Sequence, residues 1–206
     1  MSNIRLLASR VTPPQAGEYE RYCDPSLRAQ LTNRPPTDQN RTFTGRKLLT
    51  YLLLQAGFSP ELPLQCSYGP EGKPFLPQFP HCHFNVSHSG DWVICGLADH
   101  PIGVDLEGER PLRAALTRRF APSEQEMLQH RPPASFFDLW TVKEAFCKCT
   151  GEGLLLPLNA TTVTLDPLTI DQPGYQVALV PFCDSTLRLA LCVAQSDPIH
   201  YSLSYL

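Results

Sequence analysis

The chain has 206 residues, of which 42% are hydrophobic and 18% are charged, a composition that excludes a largely disordered protein. Its net charge of −3, from 17 basic and 20 acidic side chains, argues against a dedicated nucleic-acid binder that works by neutralising phosphates. Eight cysteines without a C-x-x-C pair, no recognisable signal peptide and no apolar run near the ~20 residues of a membrane span predict a soluble, cytoplasmic protein.

The 21 prolines decide where a long helix can form, because a proline inside a helix costs about 3 kcal/mol or more. The first long proline-free stretch predicts a helix over about 38–56, which Gly57 ends. Residues 60–80 hold six prolines and predict a loop with short strands. Two strands are then predicted, at 83–86 and 92–97.

The second half of the chain begins with a predicted strand at 102–106. Ser123 and Glu126 stand in a capping-box relation and predict the start of a short helix that ends at about His130. The other long proline-free stretch predicts a helix over about 135–150. Four later stretches alternate apolar with polar or small residues and predict strands, at about 163–165, 175–179, 187–193 and 199–205.

Each half of the chain thus offers one long helix and several strands, which predicts the α+β class. We place the boundary near Asp99 to Pro101, between an N-terminal half, 1–100, and a C-terminal half, 101–206. In each half the long helix would pack on a small, mostly antiparallel sheet. No direct sequence repeat relates the two halves.

Two carboxylates lie two residues apart on the strand predicted at 102–106. Ile102, Val104 and Leu106 would share one face of this strand, which leaves Asp105 and Glu107 together on the other. At about 6 Å and an effective dielectric near 20, the two charges repel by about 3 kcal/mol, so a proton, solvent or a cation must relieve them. Magnesium prefers such oxygen ligands, and two solvated carboxylates are the ordinary alternative.

The second long helix carries a candidate acid–base pair. Glu144 and Lys148 are four residues apart and so lie on one helix face, with Lys143 beside them. The alternative is a surface ion pair worth about 0.3–0.5 kcal/mol. Trp140 and Phe146 place aromatic side chains on several sides of the helix. This indicates that the helix is mostly buried and that its charged side chains need partners.

Positive charge is concentrated in two short stretches. The first contains Arg41, Arg46 and Lys47 within seven residues. This stretch, like the second one, could bind a local anion or form a solvated helix face. The second stretch contains four arginines: Arg110, Arg113, Arg118 and Arg119.

Three segments of the chain resemble the signature segments of the surfactin-synthetase-type 4′-phosphopantetheinyl transferases, in the same order and with matching spacing. They are residues 84–92 (FNVSHSGDW), 101–107 (PIGVDLE) and 139–148 (LWTVKEAFCK). Shorter matches at 72–74, 118–120 and 151–157 extend the resemblance over about 37–165. Each motif alone is a weak signal, whereas the ordered set is a strong one.

The resemblance implies an enzyme that moves the 4′-phosphopantetheine arm of coenzyme A to a serine of an apo acyl or peptidyl carrier protein. Adenosine 3′,5′-bisphosphate is the implied product, Mg²⁺ the implied cofactor and a monomer the implied state. The implied fold is a pair of similar α+β halves with pseudo-twofold symmetry, the N-terminal half contacting coenzyme A and the C-terminal half holding the metal and the catalytic residues.

The resemblance also implies roles for particular residues. Asp105, Glu107 and Glu144 would bind Mg²⁺. Glu144 could also accept the proton of the carrier serine, and Lys148 could protonate or stabilise the leaving phosphate. The implied contacts to coenzyme A are Arg41, Thr42, Gly72, Lys73, Pro74, Ser87, His88 and Lys143.

One segment departs from the family pattern. Members often carry lysines for the 3′-phosphate before the first long helix, whereas residues 24–34 offer only Arg28 and Arg34. The arginines between 110 and 119 lie next to Glu107, and we take them as a hypothetical docking surface for an acidic carrier protein.

Two other functions stay open on sequence grounds. A non-catalytic module that binds coenzyme A or a carrier would not need Glu144 and Lys148 together. A metal-dependent nucleotide pyrophosphate hydrolase would use the same carboxylates without a carrier serine. A hydrolase built on Ser87 and His88 is disfavoured, because adjacent strand residues point to opposite faces.

Overall fold

The computed structural model describes residues 4–111, 114–153 and 157–206, and these residues form two compact units. The first unit comprises the chain up to Asp99 together with His200–Leu206, and the second comprises His100–Ile199. Helices and sheets occur in both units, so the predicted α+β class is confirmed.

Both units are built from short strands and one long helix. In chain order up to the boundary the elements are β1 (Ile4–Arg10), α1 (Glu18–Tyr22), α2 (Pro25–Leu31), α3 (Pro36–Gln55), β2 (Ser67–Tyr68), β3 (Pro74–Phe75), β4 (His83–Ser89) and β5 (Trp92–Ala98). The elements that follow are β6 (Ile102–Gly108), α4 (Ala114–Thr117), α5 (Pro122–Gln129), α6 (Ala134–Thr150), β7 (Val163–Leu165), β8 (Leu168–Ile170), β9 (Gln176–Val180), β10 (Leu187–Val193) and β11 (Tyr201–Tyr205).

The first unit is a four-stranded sheet in the order β11-β1-β5-β4, with α3 packed against it. The helix buries a leucine-rich face because apolar residues recur at helical spacing, with Leu48, Leu49 and Leu52 almost fully buried. A Cβ atom at Gly45 would lie 3.0 Å from Cγ1 of Val86 on β4, so the glycine allows the helix to approach this strand closely.

The last strand corrects the predicted division of the chain. The prediction places 101–206 in the C-terminal half, but β11 pairs in parallel with β1, from Ile4 opposite Tyr201 to Ala8 opposite Tyr205. Backbone donors and acceptors on the edge of β1 are satisfied by this pairing. Alternation predicted a strand at 199–205 but could not identify a partner almost 200 residues away in the chain.

The second unit is a three-stranded antiparallel sheet, β6-β10-β9, covered by α6. Phe137, Leu139, Val142 and Phe146 of the helix are buried in its core. The helix lies so close to β6 that a Cβ atom at Gly103 would be 2.0 Å from the carbonyl oxygen of Ala145. Only glycine fits at this strand position.

The start of α5 differs from the prediction. The helix begins at Pro122, and the Glu124 carboxylate accepts a hydrogen bond from the Ala121 backbone N–H at 2.9 Å. The predicted capping pair is therefore wrong, and Ser123 and Glu126 are both exposed. With proline at the first helical position the N-cap is Ala121, two residues before Ser123, since the missing N–H of proline costs nothing there.

Two further observations concern the whole described chain. All eight cysteines are free thiols. Within residues 4–111, 114–153 and 157–206, no helix combines the length and the apolar character needed to cross a membrane.

Candidate functional site

An acidic site lies in the second unit, on the face of β6 that α6 covers. Strand alternation places Gly103, Asp105 and Glu107 on this face. Ile102 and Val104 point the other way and are fully buried. The predicted common direction of the two carboxylates thus agrees with the strand geometry, and the missing side chain at residue 103 lets the helix settle beside them.

Helix α6 brings its candidate acid–base pair to the same place. Nζ of Lys148 lies 2.6 Å from Oδ1 of Asp105, and their side chains are 30% and 9% exposed. Glu144 is partly buried one helical turn earlier. Three charged groups therefore converge, one from β6 and two from α6. The strand residue is 39 or more positions away from the helix residues in the sequence.

The surroundings of Glu144 favour the neutral, protonated form of its carboxyl group. Burial raises the pKa of Glu144 above its usual range, and the negative charge of Asp105 raises it further. The cations of Lys148 and Arg119 act in the opposite direction, and Glu107 adds a smaller increase to the same pKa. Burial is thus the largest cause of the raised pKa of Glu144, and the charges around it act in both directions.

The predicted metal ligands share one region but do not form a ready-made cage. Among the described residues, no group of three His, Cys, Asp or Glu side chains is placed to hold a metal ion. Asp105 is paired with Lys148, and Glu107 is paired with Arg110. The oxygen donors suit magnesium, and binding an ion would require these two cations to give way.

Lys143 lies in a different environment from Lys148. Its ammonium is 2.7 Å from Oε1 of Glu124, with the two side chains 2% and 1% exposed. It also donates to the carbonyl oxygens of Leu158, at 2.6 Å, and of Thr161. Because an ammonium has three donors, this set of acceptors uses all of them. We therefore leave Lys143 out of the proposed coenzyme A contacts.

Glu124 completes this buried polar cluster. Its Oε1 accepts a hydrogen bond from the Val163 backbone N–H at 2.8 Å, and its Oε2 accepts the bond from Ala121. The pair consequently ties the start of α5, the middle of α6 and the segment that leads into β7. A cluster satisfied in this way holds the fold together rather than binding a ligand.

The first unit contains a cavity of about 210 Å³ between α3, the β2–β3 hairpin and β4. It has apolar walls and four cationic or titratable groups, which are Arg41, Arg46, Tyr68 and His88. The lining residues are Leu27, Arg41, Thr42, Gly45, Arg46, Leu49, Tyr68, Pro74, Phe84, Val86 and His88.

Four of the predicted coenzyme A contacts line this cavity, namely Arg41, Thr42, Pro74 and His88. Gly72 and Lys73 lie in the turn just before Pro74, where the Gly69 N–H donates to the Lys73 carbonyl oxygen at 2.9 Å. Gly72 has φ +82°, a conformation that glycine adopts without strain. The structure thus groups residues that are up to 47 positions apart in the sequence.

Ser87 is separated from His88 by the strand pleat. Phe84, Val86 and His88 face the cavity, so Ser87 lies on the other face of β4, where it is 5% exposed. The geometry keeps the two side chains from acting as a nucleophile and its base, as the alternation predicted.

Sequence reasoning did not assign Tyr68 and Arg46 to this cavity. Tyr68 is 51% exposed, and its proline-rich surroundings gave no periodic signal. In the sequence, Arg46 stands out only as part of a positive stretch. Its distance from Thr42, one helical turn, was the signal that places it on the same side of α3.

The arginines of the hypothetical docking surface have different surroundings. Arg118 and Arg119 are exposed, and the Arg119 guanidinium lies 5.9 Å from the ring centre of Trp140. Arg110 pairs with Glu107. Arg113 lies outside the described residues.

Comparison with known proteins places these features in a family. The model of the 4′-phosphopantetheinyl transferase superfamily matches residues 101–192. The chain is 35% identical over 174 residues to a 4′-phosphopantetheinyl transferase of Bacillus subtilis, a match that covers 78% of this chain and 76% of that protein. It is 34% identical over 166 residues to 4′-phosphopantetheinyl transferase psf-1 of Bacillus pumilus, with 75% and 71% covered. It is 31% identical over 182 residues to 4′-phosphopantetheinyl transferase Sfp of Bacillus subtilis strain 168, with 78% and 76% covered.

Proposed function

The chain belongs to the surfactin-synthetase-type 4′-phosphopantetheinyl transferases, and from this premise we propose how its residues carry out the reaction. The protein transfers the phosphopantetheine arm of coenzyme A to a carrier protein. We infer that the acceptor is a serine hydroxyl, that the second product is adenosine 3′,5′-bisphosphate and that the reaction depends on Mg²⁺. The observation that supports this best is the meeting of Asp105, Glu144 and Lys148 across Gly103.

Asp105, Glu107 and Glu144 are the residues that would hold Mg²⁺. Their oxygens are the ligands that this ion prefers, and Asp105 and Glu107 both contribute, after burial, to the raised pKa of Glu144. When bound, the ion would neutralise charge on the pyrophosphate of coenzyme A. Lys148 forms an ion pair with Asp105, and Arg110 forms one with Glu107. When the carboxylates bind the ion, these two cations would be free to donate to phosphate oxygens.

The transfer forms one P–O bond and breaks another. The serine oxygen attacks the pantetheine-bearing phosphorus, and the bond from that phosphorus to the oxygen shared with the adenosine-side phosphate breaks. Glu144, whose pKa burial raises, takes the proton of the serine hydroxyl. The ammonium of Lys148 stabilises the negative charge that develops on the leaving phosphate, to which it can donate a proton.

The first unit supplies the nucleotide contacts in this proposal. Arg41, Thr42 and Pro74 line the cavity beside α3, with His88 on β4, and Gly72 and Lys73 form the adjoining turn. Arginine, lysine and histidine donate to phosphate oxygens, and an aromatic or aliphatic wall accepts a nucleobase. Ser87 remains a proposed contact from the opposite face of β4.

The finer points of the fold and assembly are also proposals. Each unit presents one long helix packed on a small sheet through a glycine, which supports the inferred similarity of the two halves. We further propose a monomer that works in the cytoplasm. The partner is an acidic carrier protein, which would meet the exposed arginines Arg118 and Arg119.

Mass spectrometry of an apo carrier protein incubated with coenzyme A, Mg²⁺ and this protein tests the proposal. We expect one phosphopantetheine group on one serine, lost in Asp105→Ala and in Lys148→Ala and absent when the ion is chelated. The matched control is Glu126→Gln, which removes an exposed carboxylate of α5 and should leave the transfer intact. Cleavage of coenzyme A without carrier modification would instead identify a pyrophosphate hydrolase.

A further inference from the structure

Arg46 is a buried cation that no carboxylate neutralises directly. It is 8% exposed, and its guanidinium contacts the Cys66 sulfur. Within the described part of the chain, no carboxylate oxygen lies within 4.0 Å of it. Burial lowers the pKa of Arg46, whereas Cys66, Tyr68 and, least of all, Asp24 raise it. The Oδ1 atom of Asp24 already accepts hydrogen bonds from the backbone N–H groups of Ser26 and Leu27.

The neighbouring cations of α3 already have anionic partners. Nζ of Lys47 lies 2.8 Å from the carboxylate of Glu18. The Arg41 guanidinium lies 3.4 Å from Asp38 and donates to the Gly90 carbonyl oxygen at 2.9 Å. Arg46 differs from both, since its partner is a thiol whose pKa burial raises, and a neutral thiol does not compensate a charge.

Arginine is seldom buried without an anion, because removing its charge from water costs several kcal/mol unless a counter-charge offsets it. Arg46 lines the 210 Å³ cavity, and the lining of that cavity contains no aspartate or glutamate. The counter-charge can therefore come from a ligand in the cavity. Phe84, Val86 and Tyr68 give the same cavity an apolar and aromatic wall, so a suitable ligand combines a planar base with an anionic group.

Coenzyme A has two such anionic groups near its adenine. The pyrophosphate is assigned above to the carboxylate site that binds Mg²⁺. The ribose 3′-phosphate is left, and a cavity without carboxylates binds a phosphate through arginine rather than through a metal ion. Between residues 24 and 34 the only basic side chains are Arg28 and Arg34, and Arg28 lies 3.7 Å from the carboxylate of Glu20.

We propose that Arg46 is a substrate-recognition residue of this chain, whose buried guanidinium binds the ribose 3′-phosphate of coenzyme A. This inference rests on the proposed function, because it takes coenzyme A as the ligand. It assigns the discrimination between coenzyme A and 3′-dephospho-coenzyme A to a residue within α3, with Tyr68 as the wall against which the base lies.

Calorimetric titration of the full chain with coenzyme A and with 3′-dephospho-coenzyme A tests the inference. We expect Arg46→Met to weaken the binding of coenzyme A by about 10- to 100-fold, as for the loss of a hydrogen bond to a charged group. The affinity for 3′-dephospho-coenzyme A should change by less than about threefold. If Arg46 had a merely structural role, Arg46→Met would weaken the binding of both ligands equally, and that result overturns the proposal.

Two further variants keep the test decisive. Arg46→Lys preserves the buried charge but not the planar fork, so it should fold and lose part of the preference for coenzyme A over the dephosphorylated ligand. An unchanged preference in Arg46→Lys and Arg46→Met overturns the proposal. Lys47→Met is the matched control on the next residue of the same helix and should alter neither affinity, because Lys47 pairs with Glu18.

The wild-type titration separates this inference from the proposed function. If the wild-type protein binds neither ligand, the assignment of coenzyme A as the substrate fails. If it binds both ligands equally, only the recognition of the 3′-phosphate fails, and the transferase proposal stands.

Discussion

Two lysines of α6, five residues apart, form ion pairs that differ in almost every physical respect. Lys143 and Glu124 are 2% and 1% exposed, and every donor of the ammonium has an acceptor. Lys148 is 30% exposed and meets a carboxylate that itself lies beside Glu144. The closed pair has nothing left to offer a substrate, whereas the open pair can exchange its partner for a phosphate.

The difference shows that burial of a charge does not by itself indicate catalysis. A buried pair with complete hydrogen bonding stabilises a particular chain path, and its loss leaves an uncompensated charge in the core. An incompletely neutralised pair at the surface of the core contributes little to stability but can respond to a ligand. Substituting the two lysines identically therefore separates folding from chemistry.

The largest effect is expected for Lys143→Met. Removing one partner of a fully buried pair typically costs about 3–5 kcal/mol, and it also leaves the carbonyl oxygens of Leu158 and Thr161 without their donor. Thermal and urea unfolding should show this loss of stability. At a temperature where the variant is still folded, its affinity for coenzyme A should match the wild type. A variant as stable as the wild type would contradict the structural role of the pair.

Lys148→Met should produce the reverse pattern. We expect a kcat lower by about 100- to 1000-fold, because a group that stabilises developing charge on the leaving phosphate is gone. The free energy of unfolding should change by no more than about 1 kcal/mol, as for other partly exposed pairs. Carrier-modification kinetics and urea unfolding measure the two quantities. Equal losses of stability in Lys143→Met and Lys148→Met would remove the distinction between the pairs.

Gly103 tests whether the open site depends on close packing. In Gly103→Ala the new Cβ would meet backbone atoms of α6, which cannot move aside as a side chain can. We expect a loss of about 1–3 kcal/mol in unfolding free energy together with lower kcat, since Lys148 would be displaced from Asp105. Gly45→Ala is the matched control, because its Cβ would meet a Val86 methyl group, at 3.0 Å. The alanine would also have a higher helix propensity than the glycine it replaces. It should stay within about 1 kcal/mol of the wild type.

The open site could be predicted from the sequence because its geometry is local. Strand alternation places Asp105 with Glu107, and helical spacing places Glu144 with Lys148. What joins the two pairs, the glycine at 103, gives no periodic signal and becomes interpretable only beside the Ala145 carbonyl oxygen. The resemblance to a known family supplied the remaining link.

The closed pair could not be predicted in the same way. Lys143 is next to Glu144 in the family motif, which implies a contact to phosphate, and the capping-box spacing favours Ser123 and Glu126 over Glu124. Their contact joins two residues of different helices, 19 positions apart in the sequence. The segment at 158–163 supplies the remaining hydrogen-bond partners. Long-range polar contacts of this kind depend on the whole fold. The same reason hid the pairing of β1 with β11.

The smallest effect is expected at Arg118, an exposed arginine of the hypothetical docking surface. Arg118→Glu should weaken carrier binding severalfold at low ionic strength, mainly through slower association, and the difference should shrink as salt screens the charge. Coenzyme A affinity should not change. Arg21→Glu, the same reversal on an exposed residue of α1, is the matched control and should leave carrier binding at the wild-type level. If both reversals weaken binding alike, net charge rather than a docking surface steers the carrier. An unchanged carrier affinity in Arg118→Glu would exclude this arginine from the interface.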